Sequence, residues 1–151
     1  MRVYGQACRG LSHIVARRLT SAIQDFSDSL SFARSRKAGL EAEPRILADL
    51  ANAYRLNGDD TTALATADEA IKVATDRHAR IPECLARIVR ADLLLRSENE
   101  KQMAEGKREI ARARALMQET GAMLFDHFIN ELEIDHSNAR QVPNDRTALS
   151  E

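Results

Sequence analysis

Apolar residues along this chain recur in steps of three and four, the spacing that keeps them on one face of an α-helix. The clearest run is Ile46, Leu47, Leu50, Ala51 and Tyr54. Pro44 stands just ahead of it, suited to a first helical turn whose N–H has no intrahelical partner. Asn57-Gly58-Asp59-Asp60 then breaks the pattern: Gly58 suits a helix C-terminus, and either aspartate suits the next N-cap. Ala63, Ala67, Ala70, Ile71 and Ala74 resume the stripe with small residues that let two helix axes approach closely. This part of the chain predicts a hairpin of two helices.

The same plan recurs on both sides. Ala22, Ala63 and Ala104 lie 41 residues apart, as do Ala33, Ala74 and Ala115. Ala70 and Ala111 keep the step, with Ser29 at the earlier equivalent. Self-similarity at a fixed period is the signature of stacked repeats. The predicted units are about 1–40, 41–81 and 82–121, followed by a capping helix at 122–138 and a flexible C-terminal tail at 139–151. In the first unit helices are expected over 3–15 and 18–36, with Gly39 closing the second. In the third, Pro82 opens a helix carrying Leu85, Ile88, Val89 and Leu95. A polar break at 96–102 then leads to a helix that Gly121 ends, and Phe125, Phe128, Ile129 and Leu132 mark a seventh.

Composition supports helices over sheets: there are 24 alanines against six glycines, three prolines and no tryptophan. No apolar run reaches the ~18–20 residues of a membrane span. Two cysteines, Cys8 and Cys84, are too few for a disulfide framework and fit a reducing cytoplasm. A net charge of −1 argues against specific nucleic-acid binding or an anionic membrane as partner. Charge is nevertheless uneven, with seven Lys/Arg against two Asp in residues 1–40, and six acids against two Arg in residues 126–151. No aromatic residues interleave with the arginines as single-strand binding requires.

Leu47, Leu50, Ala51, Tyr54, Gly58, Ala63, Ala67 and Ala70 have the spacing of a tetratricopeptide (TPR) repeat, with Ala67 where a large aromatic is commoner. The first unit partly matches through Gly10, Ala22 and Phe26, the third through Ala104 and Ala111. The segments EPRILADLANAYRLNGD, RIPECLARIVRADLLL and ETGAMLFDHFINELE resemble the C-terminal helical repeats of large bacterial signalling proteins. Such proteins join a nucleotide cyclase or regulator domain and an ATPase domain to a TPR-like tail. The resemblance implies an all-α, right-handed α-solenoid of about seven helices, and it carries no catalytic residue into this chain, because that chemistry lies upstream.

Candidate chemistry is sparse. Gly58 and Gly106 are isolated, and no glycine cluster ends in Lys-Ser or Lys-Thr, so no phosphate loop is present. His127 and Glu131 share a helix face four residues apart, too few ligands for zinc and more in keeping with a solvated surface contact. Cys84 follows Pro82-Glu83 in a first helical turn, where the helix dipole lowers a thiol pKa, but no base stands near it in sequence, so it reads as a packing residue. Asp92 interrupts an apolar helix and has Arg96 one turn on, which favours an ion pair over a functional carboxylate.

The remaining candidate is the concave surface that stacked helix pairs form, lined by the first helix of each pair. Arg45, Asn52 and Arg55 are expected to face that groove, with Arg87 and Arg90 joining them in the third unit. Arginine and asparagine together suit the carboxylates or backbone amides of an extended peptide. The expected function is a non-catalytic protein–protein interaction module of cytoplasmic signalling, with no cofactor and no metal. The alternative is an effector-sensing domain of a transcriptional regulator that binds a small molecule or peptide. Val3, Tyr4, Ala7, Leu11, Ile14 and Val15 exceed the single stripe one neighbour can bury, and so predict either weak self-association through the N-terminal helix, residues 1–15, or partial fraying of that helix.

Overall fold

The three- and four-residue periodicity becomes seven α-helices among residues 2–139, which the computed structural model describes. They are α1 (Arg2–Val15), α2 (Leu19–Arg36), α3 (Glu43–Leu56), α4 (Asp60–Asp76), α5 (Arg80–Leu95), α6 (Glu100–Thr120) and α7 (Asp126–Ala139). Single 3-10 turns at Leu40–Ala42 and Met123–Phe125 lead into α3 and α7, and the described residues contain no strand. The expected tail, beyond Ala139, lies outside the described residues. No described helix is long and apolar enough to cross a membrane.

Local chemistry explains several helix ends. Asp59, not Asp60, caps α4, its carboxylate accepting from the Thr62 N–H at 3.1 Å. Asn99 caps α6 through the Lys101 N–H at 2.9 Å, so that helix starts at Glu100, inside the stretch expected to be a break. Lys37, at φ 49°, ends α2 in the left-handed conformation where Gly39 was expected to do so. Gly39 instead takes φ 70° two residues later and precedes the turn into α3.

Helices α1 and α2, α3 and α4, and α5 and α6 pack as three pairs. The pairs are joined by α2 on α3, α4 on α5, and α3 alongside α5. The second helix of each pair buries four positions in one spacing: Ala22, Phe26, Ser29 and Ala33 in α2, then Ala63, Ala67, Ala70 and Ala74 in α4. These two sets are 41 residues apart. In α6 the matching set is Gly106, Ile110, Ala113 and Met117, a step of 43. Of the positions that a uniform step would bury, Ala104, Arg108 and Ala111 are exposed and Ala115 is half-buried. The reason is a close crossing of α5 and α6: a Cβ on Gly106 would lie 2.9 Å from Leu95 Cγ and 3.2 Å from the Ala91 carbonyl oxygen. Two extra residues turn a helix by about 200°, which carries the evenly spaced alanines to the solvent side.

A second close approach sits in the first pair, where a Cβ on Gly10 would be 2.8 Å from the Phe26 ring. Val3 is buried against Gly39, and its carbonyl accepts a 2.8 Å bond from the Ser29 hydroxyl. The apolar stripe of α1 divides: Ala7 and Ile14 are half-buried on the inner side, while Tyr4, Leu11 and Val15 are exposed, Val15 by 86%.

Candidate functional site: a cleft over α5

Helix α5 is apolar on two sides and has neighbours along both, so part of it becomes the floor of a cleft. Leu85, Ile88 and Val89 form that floor. Asn52 and Arg55 of α3 stand on one wall, Phe128, Glu131, Leu132 and Asp135 of α7 on the other, and Asp92 and Arg96 close one end. The cavity measures about 380 Å³.

Its polar end is an ion cluster. Arg55 Nη1 donates to Asp92 Oδ2 at 2.7 Å. Arg96 donates to the same carboxylate through Nε, 3.2 Å from Oδ1, and through Nη2 to Oδ2. The other two donors of Arg55, Nη2 and Nε, reach Asn52 Oδ1 at 2.9 and 3.1 Å. Burial by itself would raise the Asp92 carboxyl pKa, but the hydrogen bonds from Arg96 and Arg55 outweigh it and hold the group below the usual range. Asp92 is therefore ionised at neutral pH, buried at 6% exposure and gripped by two guanidiniums. It joins the expected Arg96 pair to a second partner 37 residues away. This is an anchoring arrangement rather than a proton donor.

The five groove positions separate into three places. Asn52 and Arg55 line the cleft. Arg45 is exposed and donates to Asp49 one turn on, at 2.8 Å. Arg87 and Arg90 do not reach the cleft; they lie where α5 meets α4 and α6. Arg87 bridges Glu83 and Glu109 at 3.0 and 2.7 Å. Arg90 bridges Asp68, Glu105 and Glu109 at 2.6, 2.6 and 3.2 Å. These two arginines thus face the α5–α6 side of the helix rather than the groove. Phe128, Glu131, Leu132 and Asp135 were missed as cleft residues. Phe128 carried a signal, since it widens the α7 stripe beyond the face that Phe125 and Ile129 bury.

Cys84 is buried, and its thiol is a weak donor to the Ala113 carbonyl at 3.5 Å. The helix starts at Arg80 rather than at Pro82, so Cys84 lies beyond the first turn, and burial pushes its thiol pKa up to about 11. His127 Nε2 lies 3.0 Å from Glu131 Oε1 on the exposed side of α7, a solvated contact as expected.

Comparison with protein-family models, with curated proteins and with solved structures finds no match to this chain.

Proposed function

We propose that this chain is a non-catalytic interaction module, a right-handed stack of TPR-like helix pairs that receives a segment of a partner protein in the cleft between α3, α5 and α7. The observation that carries this reading is the cleft itself, with an apolar floor, a volume within the ~300–1,000 Å³ of ligand sites, and a few fixed polar groups at one end. Its ionisable groups favour binding over reaction, because Asp92 is held charged by Arg55 and Arg96 and stands beside no nucleophile in the lining. The resemblance to the helical tails of bacterial signalling proteins supports a cytoplasmic setting.

Selection from a display library of random twelve-residue peptides tests it. Peptides enriched on the full chain should lose binding to Phe128→Asp while helicity by circular dichroism stays unchanged. Enriched peptides that bind that variant as well as the wild type would reject the cleft as the site. A small-molecule effector is the second reading, favoured by the same enclosed volume, and a single compound class that raises the melting temperature would decide for it. Self-association through the exposed Tyr4, Leu11 and Val15 of α1 is a separate proposal, and sedimentation over a range of concentrations tests it.

A further inference from the structure

Building on the proposed peptide-binding role, we infer that the segment this cleft receives is basic: an apolar side chain rests on the α5 floor, and a lysine or arginine beside it meets Glu131 and Asp135.

Arginines on the wall suggest an acidic ligand until their partners are counted. Arg55 and Arg96 both donate to the Asp92 carboxylate, Arg55 also donates to Asn52, and Arg96 Nη1 lies 3.6 Å from the Asp60 carboxylate. The positive charge on that wall is neutralised inside the protein. The opposite wall differs. Glu131 and Asp135 lie four residues apart on α7, on the same face, and both border the cavity. Among the described residues, Glu131 pairs with the imidazole of His127 alone, and no cation meets Asp135. Among the charged residues of the lining, two arginines stand against three carboxylates, so one negative charge is in surplus and it lies on the α7 side.

The apolar and acidic parts adjoin. Phe128 and Leu132 project from α7 next to Glu131 and Asp135, and with Ile88 and Val89 they form a surface for one or two aliphatic or aromatic side chains. A ligand that fits both carries an apolar anchor and a cation within one helical turn of each other. An acidic or neutral segment would leave Glu131 and Asp135 facing like charge or nothing.

The test uses the same display selection on the full chain, repeated on Glu131→Lys/Asp135→Lys. Both positions are exposed, so the exchange leaves the core intact. Wild type should enrich peptides with Leu, Ile or Phe and a Lys or Arg three to four positions away. Fluorescein-labelled copies of these should bind the double variant about tenfold or more weakly, and should weaken as salt screens the pair. Enrichment of acidic or uncharged peptides that Phe128→Asp abolishes would overturn the basic specificity and leave the cleft reading standing. Enrichment that neither variant alters would overturn both.

Discussion

The α3–α4 and α5–α6 pairs solve one packing problem with different residues. In α4 every fully buried side chain is an alanine, and the contact is uniform along its length. In α6 the buried set runs from Gly106 through Ile110 and Ala113 to Met117, so the helices meet tightly at one end and through larger side chains at the other. Register follows the point of closest approach. Where all positions are small, spacing alone decides; where only one position lacks a side chain, that position is drawn to the crossing and the rest follow.

The buried carboxylates contrast in the same way, and they supply the largest expected effect. Asp49 of α3 has one partner, the exposed Arg45, and burial pushes its pKa up. Asp92 of α5 has two partners and a lowered pKa. Removing Asp92 leaves two guanidiniums facing each other, so Asp92→Ala should cost about 2–3 kcal/mol, below the range for wholly buried pairs because Arg96 is half-exposed. Asp49→Ala removes a charge that its site penalises and should cost less than about 1 kcal/mol. Urea midpoints of the two variants give the comparison, and equal midpoints would erase it.

Ala63→Leu overfills the α3–α4 contact and should cost about 1–3 kcal/mol. Ala104→Leu, its counterpart at the uniform step, should stay within about 0.5 kcal/mol because the position is exposed. Equal losses would mean that α6 is not turned relative to α4.

Acid sharpens the carboxylate contrast. A lowered folded pKa gives stability that is present above the ordinary carboxylate value and lost as pH falls through the folded value. Asp92 behaves this way, as does Asp25, which Arg9 lowers through its hydrogen bonds. Asp49 runs the other way: its raised pKa is a penalty at neutral pH, relieved as pH falls through that value. Wild-type stability should therefore fall below about pH 4, and less steeply in Asp92→Ala. Chemical denaturation at pH 7, 5, 4 and 3 shows which holds. The smallest effect concerns thiols. At pH 8 a disulfide reagent should label the exposed Cys8 promptly and the buried Cys84 only after unfolding.

The helices were legible because each carries its own period and its own terminal signals, such as Pro44, Asp59 and Gly121. The 41-residue offset matches the buried sets of α2 and α4, where Ala22 and Ala63 occupy equivalent places. It misled in α6 because alanine is common enough to recur by spacing at exposed positions, whereas Gly106, the residue that sets the crossing, looked like an isolated glycine. For the cleft, Asn52 and Arg55 were found from the face of one well-registered helix. Asp92 was read through its one-turn neighbour Arg96, since local spacing reveals nothing about a partner on another helix. The α7 wall went unseen because a pattern shows that a helix is amphipathic but not where its partly covered edge points.

The arginines at the α5–α6 junction bear on how the chain comes apart. Arg90 stands on α5 yet is tied to Asp68 of α4 and to Glu105 and Glu109 of α6. Arrays of helix pairs unfold as a one-dimensional chain, in which the coupling between neighbours decides whether units melt singly or together. A side chain that fastens the second helix of one pair to both helices of the next contributes to that coupling rather than to either unit. With α3 packed on both α4 and α5, the helices from α3 to α6 should melt in one transition, and the wall that carries Arg55 should loosen together with the floor on which a ligand would rest.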